Sequence, residues 1–84
     1  MSQKARRKRR LAVLLLDQAV GRYRNLARSC NSYQPNTDTS VATFDRYMRR
    51  LKERVDAPGN AQEFWSLHQR VYLRLLKETI KLRN

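Results

Sequence analysis

The sequence has few of the residues from which catalytic and metal centres are built. Its single cysteine, Cys30, excludes an internal disulfide, and its single histidine, His68, leaves no cluster of imidazole and thiolate ligands. No nucleophile, base and orienting acid can be assembled from this inventory. We therefore expect no enzymatic activity, no metal and no cofactor, and the lone cysteine suits a reducing, intracellular setting.

Acidic residues are scarce as well. The chain has 7 Asp and Glu against 19 Lys and Arg, a net charge of +12, and arginine outnumbers lysine by 14 to 5. Such a surplus predicts a polyanionic partner. The planar guanidinium group binds phosphates in a bidentate manner and stacks on bases, which favours nucleic acid over an anionic membrane or an acidic protein.

Long apolar runs are absent. The longest, at positions 11–16, is too short to span a membrane or to act as the core of a signal peptide. A chain of 84 residues fits one domain and buries only about 60 to 65% of its unfolded surface. We therefore expect a homodimer, in which a second copy completes the core.

Apolar residues at helical spacing predict three helices, at about residues 6–30, 40–55 and 61–83. The third has the clearest start, because Asn60 and Glu63 form a capping-box pattern. The residues expected to face a core are Ala12, Leu16, Ala19, Val20, Tyr23, Leu26, Ala27 and Cys30 in the first helix, Val41, Phe44, Met48, Leu51 and Val55 in the second, and Phe64, His68, Val71, Tyr72, Leu75, Thr79 and Leu82 in the third.

The connections complete the predicted architecture. Residues 31–40 lack periodicity and predict a loop, with Asp38, Thr39 or Ser40 as the next helix cap, and residues 56–59 predict a tight turn. Gly21, inside the first helix, suggests a bend or the close approach of another backbone. We predict an elongated, all-α, helix-loop-helix-turn-helix bundle over residues 11–84, and a basic arm, residues 1–10, that precedes its first helix or extends it.

The basic arm reads Lys4-Ala5-Arg6-Arg7-Lys8-Arg9-Arg10. This run resembles the arginine-rich motifs of lentiviral Rev proteins and phage N antiterminators, in which a short basic helix enters the widened major groove of an RNA stem. The resemblance covers residues 4–10 and implies that Arg6, Arg7, Arg9 and Arg10 touch phosphates and guanine edges. A nuclear-localisation signal and a solvated tail are the alternatives.

Cations also line the outward sides of the three helices, and Asp45 is spaced to pair with Arg49. Packing the second and third helices together is expected to form one broad basic surface that suits phosphate contacts. In the third helix the row of Arg70, Arg74, Lys77 and Lys81 is expected to be free of carboxylates. The candidate nucleic-acid-binding residues on the helices are Arg24, Arg28, Arg46, Arg49, Arg50, Arg54, Arg70, Arg74, Lys77 and Lys81.

Together these features predict a small basic protein that binds duplex or structured RNA through its backbone and shape, with little sequence readout. The arrangement is similar to that of the small all-helical dimers with which some insect viruses bind double-stranded RNA, and a viral or phage regulator such as an RNA-silencing suppressor fits it. The alternatives are a DNA-binding regulator and a helical adaptor that docks on an acidic protein or membrane surface.

Overall fold

A computed structural model describes residues 3–29, 35–56 and 61–83 of the chain. They form three helices, α1 (Gln3–Ser29), α2 (Pro35–Val55) and α3 (Ala61–Arg83), and no strand lies within these ranges. The predicted all-α bundle of three helices is confirmed. The predictions for Cys30, for the loop residues 31–34 and for the cap and turn residues 57–60 lie outside the described residues.

α1 begins at Gln3, so the basic segment is part of the first helix. The segment has neither proline nor glycine, and Lys, Ala and Arg are among the better helix formers. The charge repulsion expected along this run is relieved where Arg6 and Arg10 pair with Asp56 at the end of α2. The arm therefore extends α1 along the bundle.

α2 begins at Pro35, about five residues before its predicted start. The loop predicted over residues 31–40 is therefore wrong for 35–40, and Asp38, Thr39 and Ser40 lie inside the helix and do not cap it. Proline is favoured at the first helical position, because its fixed φ suits the helix and its missing N–H has no partner there. The start of α2 agrees with this preference. Apolar periodicity did not predict it, because that periodicity begins only at Val41.

The three helices alternate in direction around one core. Arg6 contacts Asp56 and Arg24 contacts Asp45, so α1 and α2 are antiparallel, and Lys8 over Trp65 places the starts of α1 and α3 side by side. The Cα atoms extend over 46 × 17 × 16 Å, with a radius of gyration of 14.1 Å against about 12 Å for a compact globule of this length. The predicted elongated shape is confirmed.

Residues from all three helices form the core, and Phe44, Leu51 and Val71 are fully buried at its centre. Tyr23 and Phe44 pack edge to face with ring centroids 5.3 Å apart, an arrangement that favours aromatic pairs. Tyr72 is an exception to the prediction, since it is 46% exposed. The buried apolar residues are Val13, Leu16, Val20, Tyr23, Phe44, Met48, Leu51, Val55, Phe64, Val71 and Leu75.

Gly21 lies in the middle of α1, and a Cβ atom built on it meets no described atom within 4 Å outside its own helix. The close backbone approach suggested by the sequence is thus not found in the described part of the chain. Since glycine inside a helix costs about 1 kcal/mol relative to alanine, we expect Gly21→Ala to raise the free energy of unfolding by about 0.5–1 kcal/mol and the Tm by about 4 °C.

Thermal unfolding followed by circular dichroism measures this effect. Ala42→Gly is the matched control, because Ala42 is exposed within α2 and should lose a similar amount of stability. If Gly21→Ala had a lower Tm than the natural chain, the space beside Gly21 would not be open.

Candidate nucleic-acid interface

A rod of three helices has three long faces, each formed by two helices. We name them the α1–α2, α2–α3 and α1–α3 faces. Because residues three and four apart share one side of a helix, each helix presents a different set of side chains to each of its two faces. The three faces differ in chemistry, and the cations predicted to bind nucleic acid are divided between two of them.

The α1–α2 face begins with a cluster around Asp56. Its carboxylate accepts hydrogen bonds from Arg6 at 2.6 Å and from Arg10 at 3.5 Å. The hydrogen bond from Arg6, together with the positive charges of Arg6 and Arg10, lowers the pKa of Asp56 from its ordinary 3.8. The resulting stabilisation is present above that ordinary pKa and is lost as the pH falls through the lowered value. All three side chains are about half exposed, so the contribution is small.

Two more ion pairs continue along this face. Lys52 lies 3.4 Å from Asp17, and Arg24 pairs with Asp45. The predicted pairing of Asp45 with Arg49 is wrong, because the carboxylate of Asp45 in α2 pairs with Arg24 of the neighbouring helix α1. Carboxylates of both helices thus neutralise part of the cationic charge on the α1–α2 face.

Arg9 is inside the bundle, with 3% of its surface exposed. Its Nε atom donates a hydrogen bond to the carbonyl oxygen of Val55 at 3.1 Å, and so satisfies a backbone acceptor at the C-terminal end of α2. In this packing Arg9 has no access to RNA, contrary to the role implied by the arginine-rich resemblance. Its position relative to Val13, Leu16 and Val20, at spacings of four, three and four, is the sequence signal for its burial.

The α2–α3 face contains a groove of about 420 Å³. Three guanidinium groups from both helices line it, those of Arg50, Arg54 and Arg70. Glu63 is the one carboxylate among the described lining residues, and it accepts a hydrogen bond from Arg54 at 2.9 Å. The other described lining residues are Gln62, Ser66 and Leu67, so the groove is open to an anionic ligand with hydrogen-bond acceptors.

Further cations extend this basic surface along the rod. Arg46, Arg74 and Lys77 are exposed, and helical spacing places them on the same face as the groove. Within the described ranges no carboxylate forms an ion pair with any of these three side chains. At the far end Lys81 lies 3.6 Å from Glu78, so the row in α3 is not free of carboxylates as predicted.

The structure divides the predicted site residues into three groups. Arg9 is buried, and a second group lies on the α1–α2 face, where half of its members pair with carboxylates. The third group shares the α2–α3 face. The second group is Arg6, Arg7, Arg10, Arg24, Arg28 and Arg49, and the third is Arg46, Arg50, Arg54, Arg70, Arg74, Lys77 and Lys81.

Aromatic residues at the first turn of α3 contact the basic end of α1. Trp65 packs edge to face on Phe64 with ring centroids 4.9 Å apart, and the Nζ atom of Lys8 lies 5.7 Å from the centre of its indole ring. His68 is half buried beside both rings. These contacts fix the relative positions of α1 and α3 and account for the inward placement predicted for His68.

Neither a metal site nor a membrane-spanning helix is found among the described residues. In the described part of the chain, no group of three or more His, Cys, Asp and Glu side chains is placed to hold a metal ion. No helix over the described residues combines the length and the apolar character needed to cross a bilayer.

No protein-family profile, curated protein sequence or solved structure matches this chain. Its function is therefore inferred from the chemistry of the three faces.

Proposed function

We propose that the chain is a nucleic-acid-binding protein whose α2–α3 face holds the phosphate backbone, and that RNA is preferred over DNA. The observation that carries this proposal is the convergence of Arg50, Arg54 and Arg70, from two helices, on one open groove. Each guanidinium group offers several N–H donors in a plane, a geometry that matches the oxygen atoms of a phosphate.

Binding is electrostatic and requires no catalytic group. Each phosphate that a guanidinium group neutralises releases condensed counterions into the solution, so affinity falls steeply as salt is added. Contacts to phosphates position the nucleic acid without reading its bases, and little sequence preference follows. We propose a binding role in an intracellular, homodimeric protein.

The shape of the rod favours a duplex over a single strand. On the α2–α3 face, α3 has 23 residues and is therefore about 35 Å long, so this face can follow a duplex for about one helical turn. Proteins recognise duplex RNA mostly by shape and by contacts to phosphates and 2′-hydroxyls across an extended surface. A viral or phage regulator that sequesters structured RNA, such as an RNA-silencing suppressor, is the role that this chemistry suits.

A competition titration tests the proposal. Fluorescent duplex RNA of about 20 base pairs is displaced by duplex RNA of another sequence, by duplex DNA and by single-stranded RNA, each at about 50 and 200 mM salt. We expect duplex RNA to compete best whatever its sequence, and its Kd to rise at least 100-fold between the two salt concentrations. This rise corresponds to at least about four phosphate contacts.

Other outcomes of the titration would support a different function. Tighter binding of duplex DNA would identify a DNA-binding regulator. A Kd that is insensitive to salt would show that phosphate contacts do not carry the binding. If no nucleic acid binds while an acidic protein does, the helical adaptor is the correct function.

A further inference from the structure

The α1–α3 face, in contrast to the other two, is apolar at its centre. Helical spacing places six large apolar side chains on it or at its outer edge, and these are between 43% and 58% exposed. Leu11 and Leu15 belong to α1, and the rest belong to α3. The six residues are Leu11, Leu15, Tyr72, Leu73, Leu76 and Ile80.

A groove joins the two helices on this face. Its lining includes Ala19, Tyr23, Tyr72 and Leu76, and its volume is about 360 Å³. Because α1 and α3 run in the same direction, the exposed leucines of α1 lie beside the first half of α3 and those of α3 beside the second half of α1. The apolar surface therefore continues across both helices.

The apolar side chains at the centre of this face have the spacing of a coiled coil. Leu73, Leu76 and Ile80 in α3 are three and four residues apart, and Leu11 and Leu15 in α1 are four apart, while polar residues continue both rows at the same intervals. This spacing, 3.5 residues on average, keeps one row of side chains facing a partner helix. The rows are Gln69, Leu73, Leu76, Ile80 and Arg83 in α3 and Lys4, Lys8, Leu11, Leu15, Gln18 and Arg22 in α1.

We propose that a second copy of this chain covers the α1–α3 face, so that α1 and α3 of each protomer pack against α1 and α3 of the other. The proposal concerns association of the chain with itself and does not depend on the nucleic-acid proposal. A two-fold axis pairs a surface with itself, and the apolar centre of each row has the spacing that such packing needs.

The area of the face is compatible with a second copy of the chain as its partner. Six large side chains that are each about half exposed present roughly 500 Å² of apolar surface, which is at the upper end for the largest patch on a monomer. A stable dimer buries about 800 Å² on each partner. The polar parts of the face, with Gln18 and Gln69 and the methylene stems of Lys8 and Arg22, supply the remainder.

The charge of the face sets the salt dependence of the dimer. Lys4, Lys8, Arg22 and Arg83 lie at the ends of the two rows, and none of the described carboxylates lies on this face. Two such faces bring like charges together, and salt screens their repulsion. Added salt should therefore strengthen self-association, whereas it weakens the binding of nucleic acid.

Sedimentation equilibrium of the full chain without nucleic acid tests the inference at about 0.1 and 0.5 M salt. We expect a mass of about 20 kDa, twice the 10.0 kDa of one chain, and a dimer Kd that falls as salt rises. Leu73→Gln should raise that Kd at least tenfold, because the substitution occurs on both sides of the interface.

Leu14→Gln is the matched control. Leu14 is 53% exposed and Leu73 55%, but Leu14 is outside the α1 row and faces the α1–α2 side. The control should dissociate like the natural chain, and circular dichroism should show that both variants are folded. An equal rise of the Kd in both variants would overturn the assignment of the face.

A mass of 10.0 kDa for the natural chain at all concentrations up to about 100 μM would overturn the dimer. Co-sedimentation of that monomer with vesicles of phosphatidylserine and phosphatidylcholine, if it were lost in Leu73→Gln and kept in Leu14→Gln, would then show that the face binds a membrane surface. Because no nucleic acid is present in the sedimentation experiment, its failure is distinct from the failure of the nucleic-acid proposal.

Discussion

Replacement of Arg50, Arg70 and Arg74 by glutamine is expected to weaken the binding of duplex RNA on the order of 100-fold at about 0.1 M salt. These side chains are exposed on the α2–α3 face, and two of them line its groove. Loss of three phosphate contacts should also lower the slope of log Kd against log salt by about 3. Titrations at four or five salt concentrations measure both quantities.

The matched control removes three arginines from another face. Arg7, Arg28 and Arg49 are exposed on the α1–α2 side, and no described carboxylate forms an ion pair with any of them. Their replacement by glutamine lowers the net charge by the same amount, yet it should weaken binding by less than about tenfold, since only long-range attraction is lost. If the two variants lose the same affinity, net charge alone binds the polyanion and the α2–α3 face is not the site.

Replacement of Arg9 by alanine is expected to destabilise the protein by about 2–3 kcal/mol and to lower the Tm by about 10 °C. The substitution removes the packing of a buried stem and leaves the carbonyl oxygen of Val55 without its hydrogen bond. Urea unfolding followed by circular dichroism gives the loss of stability, and binding is measured at a temperature at which the variant is folded.

Arg7→Ala is the control for this prediction. It removes the same charge from an exposed position two residues away in the basic segment, and should change stability by no more than about 0.5 kcal/mol. The opposite pattern, with stability kept and RNA affinity lost in Arg9→Ala, would show that the segment acts as a free arginine-rich motif.

Local periodicity was sufficient to predict most of the fold. The spacing of Phe64, Val71 and Leu75 predicted α3, whose ends agree with the structure, and the bundle follows from three amphipathic helices of comparable length. The predicted start of α2 is about five residues too late, because the lack of periodicity around Pro35 predicts a loop, although the preference of proline for the first helical position predicts a start. Local signals can thus be right about the presence of a helix and wrong about its first residue.

The candidate site was harder to predict, because pairing between helices determines which charges stay exposed. Asp56 lies 50 positions from Arg6 and 46 from Arg10 along the chain, so no local rule connects them. The basic neighbours of Arg9 predict a contact with RNA, whereas its spacing relative to Val13 and Leu16 predicts the burial that the structure shows. Periodicity predicts the rows of cations in α2 and α3. Only the packing of the helices shows that these rows share the α2–α3 face, whereas the cations of the α1–α2 face are partly neutralised by carboxylates.

The separation of the three faces has an evolutionary consequence. Every helix contributes to two faces, but a residue that is exposed on one face makes no contact with the face on the opposite side. Substitutions on the α2–α3 face are therefore expected to alter the proposed nucleic-acid ligand without affecting Leu11, Leu73 and Ile80 on the proposed dimer face. If both proposals hold, a chain of this size can change its ligand and its mode of assembly independently, without the addition of a second domain.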